Sequence, residues 1–145
     1  MRTPVPSRTS NPAIEPQTLI AVRDVRASSA WYGKLLSADS LPDHPHRDTY
    51  DRITVGGRIV LQLHAWDEED HPNLMHRDAA PVAHGVVLWF QLDDFDVAVA
   101  RARALKANFI EEPFVNPAPR HREMWLRDPD GFVVVIASPD GEAAS

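Results

Sequence analysis

The sequence predicts an α+β fold in which two βαβββ modules pair around a cleft. The order strand, helix, strand, strand, strand occurs twice along the chain, and an aspartate precedes each helix, at Asp24 and at Asp94. We do not expect a half of about 65 residues to form a separate domain, because so short a chain buries little of its surface. Because the whole chain has 145 residues, we expect both modules to share one core in a single domain over 17–138.

The first module is predicted over residues 17–66. Its elements are a strand over 17–23, a helix over 25–36, and strands over 50–55 and 58–65. The Asp24 side chain can accept a hydrogen bond from an unpaired amide in the first turn of the helix. Ala27, Trp31 and Leu35 recur every four residues and predict one apolar line along that helix.

The second module is predicted over residues 85–138. Its elements are a strand over 85–92, a helix over 95–106, and strands over 108–112, 123–127 and 132–138. Phe95, Ala98, Ala102 and Leu105 predict one apolar face of the helix. The last two strands flank the segment Asp128–Gly131, whose sequence Asp-Pro-Asp-Gly suits a tight turn.

The remaining segments are predicted as connections and tails. Gly56-Gly57 can supply the positive φ angles of a hairpin turn. Residues 41–48 and 113–120 are rich in proline and are predicted as loops, the former with a poor edge strand as the alternative. The other three segments are an extended proline-rich arm over 1–16, a long polar loop over 67–84 and a tail over 139–145.

Composition narrows the possible functions. The formal net charge is −6 and there are no cysteines. An acidic chain lacks the basic patch that nucleic acid or an anionic membrane would attract, so neither is an expected partner. Without cysteine there are no disulfides, thiolate zinc sites or cysteine nucleophiles. No apolar run is long enough to span a bilayer or to form the core of a secretory signal, and we expect a cytoplasmic location.

Three stretches resemble the vicinal oxygen chelate superfamily, which includes glyoxalase I, bleomycin resistance proteins and extradiol dioxygenases. They are residues 19–36, residues 90–98 and residues 122–132, the last containing the Asp-Pro-Asp-Gly turn. The resemblance implies βαβββ modules whose strands curve around a cleft. It also implies a homodimer, because two chains of this family often complete each other's clefts. The arm over 1–16 could then reach across to the partner.

The resemblance further implies four positions that hold a divalent metal in many relatives, on the first and last strands of each module. Carried over by motif, these positions are Gln17, Gln62, Val87 and Val135. Valine has no lone pair to donate, and two neutral amides compensate poorly for the dehydration of a dication. We therefore expect no metal cofactor and no other cofactor.

The residues predicted to bind a ligand follow from strand alternation and from aromatic character. Side chains two apart on a strand share a face, so His64 accompanies Gln62 and Trp89 accompanies Val87. Trp66 and Trp125 could wall a pocket, and Arg122 could hold an anion at its mouth. The predicted ligand-binding set is Gln17, Gln62, His64, Trp89, Trp66, Trp125 and Arg122.

We predict a metal-independent small-molecule-binding protein that sequesters a drug or a metabolite. Aromatic faces and amide side chains suit a partly planar organic ligand, and the acidic balance favours a cationic one. The alternative is a glyoxalase-like enzyme, a lyase, isomerase or dioxygenase. It would rearrange the metal site around His64, His84 or His121, or use His64 or Glu123 as a general base. A third possibility is an interaction module without a ligand.

Overall fold

The computed structural model describes residues 16–66, Leu74, Asp78 and 86–143. Within them the chain forms strands and helices in the order β1 (Leu19–Val22), α1 (Val25–Leu36), β2 (Tyr50–Val55), β3 (Arg58–Ala65), β4 (Val87–Gln91), α2 (Phe95–Ala104), β5 (Asn108–Asn116), β6 (His121–Arg127) and β7 (Val133–Ala137). The predicted α+β class is confirmed. The predicted arm over 1–15 and most of the predicted loop over 67–84 lie outside the described residues.

The strands form two sheets with the same internal arrangement. The first sheet has the order β1-β3-β2 and the second has the order β4-β7-β6-β5. In each sheet the first strand of the module runs parallel to its last strand, and an antiparallel hairpin extends the sheet outward. Among the described residues the first sheet has no counterpart of β5, because residues 37–49 form loops and turns. The repeat is therefore complete in the second module and one strand short in the first.

Both helices begin where the sequence predicts. The Asp24 carboxylate accepts the Ala27 amide at 3.0 Å, and the Asp94 carboxylate accepts the Val97 amide at 3.1 Å. These bonds satisfy amides that the first turn of a helix leaves unpaired. Helix α2 ends two residues earlier than predicted, since Lys106 adopts a left-handed conformation with φ of 55°.

Strand β5 is longer than predicted. The sequence predicts a loop from Pro113 onward, whereas the strand continues through Pro113 to Asn116. Proline lacks an amide donor, but a strand at the edge of a sheet has amides that need no partner strand. The register against β6 also shifts twice along β5, and the second shift, between Glu111 and Phe114, spans the proline.

One apolar core joins the two modules. Helix α1 buries Tyr32 and Leu35 and packs against β2, β3 and helix α2, which adds Phe95 and two alanines. The buried members from the strands are Ile20, Val22, Ile53, Leu61, Leu63, Leu88, Met124, Leu126, Val134 and Ile136. One cluster of buried residues therefore includes side chains of both halves.

The turn at Asp128–Gly131 ties the second module to the first. The Tyr32 hydroxyl donates to the buried Asp128 carboxylate at 2.7 Å, and the Arg23 amide donates to Asp130 at 2.8 Å. Burial raises the pKa of Asp128, although Tyr32 and two backbone amides donate to it. The motif that forms the hairpin therefore also holds the two modules together.

Candidate functional site

The candidate site lies on the face of each sheet that points away from the helices, which we call the open face. Along β6, Met124 and Leu126 point into the core, so the alternate residues His121, Glu123 and Trp125 lie on the opposite face. Pairing between strands extends this open face across the second sheet. Its members are Val87, Trp89, Gln91, Asn108, Glu111, Phe114, Asn116, His121, Glu123, Trp125, Arg127, Val133, Val135 and Ala137.

Two indole rings form the apolar part of the second sheet's open face. Trp89 leaves 48% of its surface exposed, whereas Trp125 is half-buried. Their ring centroids lie 6.4 Å apart with planes at 87°, an edge-to-face contact that fixes both rings. Val135 on β7 is paired with Trp89 on β4 and with Trp125 on β6, and it is fully buried. The arrangement offers a rigid aromatic surface to a flat ligand.

A buried carboxylate lies beside these rings. Glu123 is 3% exposed, and its two oxygens accept hydrogen bonds from three side chains. The Trp125 indole nitrogen donates at 2.8 Å, the Asn116 amide at 3.0 Å, and His121 Nε2 contacts the carboxylate at 2.6 Å. The exposed ring of Trp89 lies 6.0 Å from the His121 ring. A negative charge is thus held in place just below the aromatic surface.

The hydrogen bonds decide the charge states within this cluster. Burial alone would raise the pKa of Glu123, but donation from Trp125, Asn116 and His121 outweighs it and lowers that pKa. Burial alone would lower the pKa of His121, but its bonds to Glu123 and Asp140 raise that pKa instead. Glu123 is therefore ionised over the neutral range, and the protonated form of His121 is favoured.

The open face of the first sheet is polar. The Tyr50 hydroxyl donates to Gln62 Oε1 at 2.7 Å, and Gln62 Nε2 donates to the backbone carbonyl of Gln17 at 3.0 Å. His64 Nδ1 lies 2.7 Å from the Ala65 carbonyl oxygen. Because a carbonyl oxygen can only accept, Nδ1 must carry the hydrogen. Tyr50, which the sequence did not single out, completes this group, with its ring 6.4 Å from that of His64.

The structure brings some of the predicted ligand-binding residues together and separates others. Trp89 and Trp125 share the second sheet's open face, and Gln62 and His64 share the first sheet's. Gln17 precedes β1, is exposed and contributes a backbone oxygen to Gln62, while the half-buried Trp66 follows the end of β3.

Arg122 does not join the predicted site. It alternates with His121 and Glu123 on β6, so its side chain lies on the helix side of the sheet. There its guanidinium lies 4.8 Å from the centre of the Phe95 ring and pairs with Asp96 at 2.8 Å and with Glu142 at 2.7 Å. The prediction that Arg122 holds an anion at the cleft mouth therefore has no geometric support.

The four positions at which relatives hold a metal do not provide a suitable donor set. Leu19 and Trp89 each lie five residues before a helix-capping aspartate, and they pair with Gln62 and Val135 respectively. Gln62 and Val135 are therefore equivalent positions on the two sheets. A valine offers no donor atom there, and the Gln62 amide is already bonded on both sides. Among the described residues, no three His, Asp or Glu side chains are grouped so as to hold a metal ion.

A cavity of about 320 Å³ lies elsewhere, beside β2, where the first sheet lacks its fourth strand. Its walls include Ser29, Arg47 and Asp51. Asp51 accepts from Ser29 at 2.6 Å and from Arg47 at 2.9 Å, so its charge is already compensated. We place the site on the open face because that face holds an exposed aromatic ring next to a buried charge.

A βαββ module and a βαβββ module with the same strand pairing, and with polar and aromatic side chains on their open faces, define the class of fold. The model of the Glyoxalase/Bleomycin resistance protein/Dioxygenase superfamily matches residues 16–136. The chain therefore belongs to this superfamily. A search of curated proteins finds no significant match. Within the described residues no helix is long and apolar enough to cross a membrane.

Solved structures of other proteins share this fold. A glyoxalase/bleomycin resistance protein/dioxygenase family enzyme from Burkholderia phytofirmans PsJN has a TM-score of 0.67 at 20% identity, covering 84% of this chain and 95% of that one. Lactoylglutathione lyase from Agrobacterium tumefaciens has a TM-score of 0.62 at 20% identity, covering 88% and 94%. TioX from Micromonospora sp. ML1 has a TM-score of 0.61 at 16% identity, covering 86% and 95%. At these identities the likeness establishes the fold alone.

Proposed function

We propose that this chain is a metal-independent small-molecule-binding protein of the superfamily, which sequesters a flat organic cation on the open face of its second sheet. The observation that carries the proposal is the half-exposed Trp89 ring, which lies next to His121 and Trp125, the two residues that bond to the buried Glu123 carboxylate. We also propose that the protein is located in the cytoplasm, as its sequence predicts.

Stacking supplies the affinity in this proposal. An exposed indole ring attracts a flat aromatic ligand, and a cation above an indole face gains about 0.5–2 kcal/mol from the ring's quadrupole. The edge-to-face contact with Trp125 holds the Trp89 ring in one orientation. A ring that is already fixed loses less conformational entropy when the ligand stacks on it.

Charge supplies the selectivity. The carboxylates of Glu123 and Asp140 outnumber the single positive charge of His121 in the cluster, so the cluster carries a net negative charge. Arg122, which could have neutralised it, is held on the other side of the sheet by Asp96 and Glu142. The summed field therefore favours a cation over an anion of the same shape.

We also propose that the chain forms a homodimer, with the partner enclosing the open face. Three large apolar side chains on this face are substantially exposed: Val87 at 46%, Trp89 at 48% and Phe114 at 39%. Large apolar side chains exposed on one face of a sheet favour a ligand-binding or interaction site there. Light scattering should give twice the chain mass of 16.2 kDa. A mass of one chain at every concentration would contradict the dimer.

The alternative enzyme that uses Glu123 as a general base has weaker support. A general base needs a free lone pair and a pKa near the working pH. The Glu123 carboxylate already accepts from three side chains, and those bonds lower its pKa. Glu123 is better suited to hold neighbouring groups in place than to remove a proton.

The proposal is tested by titrating two flat probes of opposite charge into the protein, with heat as the readout. We expect N-methylacridinium, a planar cation, to bind and anthracene-9-carboxylate, a planar anion of similar shape, to bind far more weakly. The Trp89→Ala variant should bind the cation about three- to thirtyfold more weakly, which is the range that stacking of an indole on a cation implies. Trp31→Phe removes an indole from helix α1 and serves as the control. Equal binding of both probes, or unchanged binding to Trp89→Ala, would contradict the proposal.

A further inference from the structure

His121 bridges two carboxylates that belong to different elements of the fold. Its Nε2 atom lies 2.6 Å from Glu123 on the same strand, and its Nδ1 atom lies 3.0 Å from Asp140 in the C-terminal turn that follows β7. The His121 side chain is 8% exposed, whereas the Asp140 side chain is 78% exposed. One buried ring therefore connects the open face to an exposed turn.

The bridge requires a particular protonation state. An ionised carboxylate can only accept hydrogen bonds, so a ring nitrogen in contact with one must carry a hydrogen. A neutral imidazole has one N–H, while an imidazolium has two. Both contacts of His121 can therefore be hydrogen bonds only when the ring is positively charged.

We propose that Asp140 is a positioning residue of the open face: it holds His121 as an imidazolium, and the imidazolium holds Glu123 in place for its bond with the Trp125 indole. When His121 loses its proton, one of its two carboxylates faces a lone pair instead of a donor. That contact then becomes repulsive, and the cluster beneath the aromatic surface loses its fixed geometry. Because it concerns how the ligand-binding face is regulated, this inference rests on the proposed function.

Few charged groups surround His121, so a change in its titration can be assigned to one of them. Glu123 on β6 and Asp140 in the C-terminal turn are the charged side chains in contact with the ring among the described residues. On strand β5 the uncharged Asn116 donates a hydrogen bond to Glu123, and on strand β4 the ring of Trp89 lies next to the His121 ring.

The C-terminal turn stays attached without the Asp140 contact. The Gly141 amide donates to the Pro119 carbonyl at 3.0 Å, and the Ala143 amide donates to the Arg120 carbonyl at 3.0 Å. Removing the Asp140 charge should therefore change His121 while leaving the turn in place. Glu142, two residues along the same turn, pairs with Arg122 on the far side of the sheet and gives a matched control.

The test follows two resonances by NMR as the pH is raised, in the wild-type chain, in Asp140→Asn and in Glu142→Gln. The signals of the His121 ring and of the Trp125 indole N–H are assigned from spectra of His121→Gln and Trp125→Phe. In the wild type both signals should titrate with one midpoint. In Asp140→Asn both midpoints should move together to lower pH, and in Glu142→Gln neither should move.

Two results would overturn the inference. One is an unchanged His121 midpoint in Asp140→Asn, and the other is a Trp125 signal that does not follow His121. A merely structural role of Asp140 would change the overall stability without moving this midpoint. These measurements need no ligand, so they succeed or fail independently of whether a flat cation binds.

A binding measurement connects Asp140 and His121 to the ligand-binding face. Asp140→Asn should weaken N-methylacridinium by about two- to fivefold at neutral pH, the range expected for one exposed charge. Glu142→Gln removes the same charge on the other side of the sheet and should change the affinity less. An equal effect of both variants would show that Asp140 acts through net charge alone and would count against its positioning role.

Discussion

Replacement of Glu123 by alanine is expected to destabilise the protein strongly. The change removes the acceptor of three side chains, Trp125, Asn116 and His121, at a position that is 3% exposed. Removing one partner of a buried ion pair leaves the other charge uncompensated and costs about 3–5 kcal/mol. Glu123→Gln keeps one acceptor oxygen but turns an amide donor toward existing donors, so it should cost about 1–3 kcal/mol.

Urea unfolding, followed by the fluorescence of the tryptophans, measures this loss. For a chain of this size the free energy of unfolding falls by about 1–3 kcal/mol per molar urea, so Glu123→Ala should lower the midpoint by about 2 M. Glu112→Gln is the control, because Glu112 forms an exposed pair with Arg103 at 2.6 Å that water screens well. The control should unfold almost like the wild type.

The reasoning would be refuted if Glu123→Ala unfolded at the same urea concentration as Glu112→Gln. That result would mean that the three donors find water or other acceptors at no cost. The Glu123 carboxylate would then not be a buried, fixed charge, and the electrostatic part of the proposed ligand selectivity would lose its basis.

Three further predictions concern the module contact, pH and metal ions. Tyr32→Phe leaves the buried Asp128 without its 2.7 Å donor and should cost about 1–3 kcal/mol in urea unfolding. Because the folded pKa of Glu123 lies below its ordinary value of 4.5, its contribution to stability is present above 4.5 and is lost as the pH falls through the folded value. The folded pKa of His121 lies above its ordinary value of 6.5, so its contribution is complete below 6.5 and is lost as the pH rises through the folded value. Melting temperatures should therefore fall on both sides, and Glu123→Gln should flatten the acidic side. Micromolar Zn²⁺, Ni²⁺, Mn²⁺ or Fe²⁺ should leave the melting temperature unchanged, since a tightly bound ion would have to raise it.

The elements set by local chemistry could be predicted from the sequence. Asp24 and Asp94 predict the first residue of each helix because a cap acts on amides within the next three residues. Gly56-Gly57 and the turn at Asp128–Gly131 likewise define their hairpins through local backbone preferences. These signals need no knowledge of distant contacts.

The buried side of helix α1 could not be predicted from apolar residues alone. The sequence predicts a line of Ala27, Trp31 and Leu35, but Ala27 is exposed and Trp31 is only half-buried. The helix instead buries Ser29 and Tyr32 alongside Leu35, because Asp51 and Asp128 accept their hydroxyl groups. Those acceptors come from distant parts of the chain, so the hydrophobic pattern carries no trace of them.

The candidate site could be predicted only in part, because its geometry also depends on contacts between distant residues. Strand alternation places Trp89 and Gln62 on open faces, as observed. It could also have separated Arg122 from His121 and Glu123, since the three residues alternate along one strand. The sequence does not reveal which side of β6 faces the core, because that depends on the pairing with β7 and on packing against helix α2.

Native mass spectrometry of the purified protein, before and after treatment with EDTA, tests the central claim most directly. The account predicts that N-methylacridinium adds its own mass to the chain equally well in both samples and that no stoichiometric metal ion accompanies it. Binding that disappears with EDTA and returns with a divalent ion would contradict the account, because the open face would then depend on a metal.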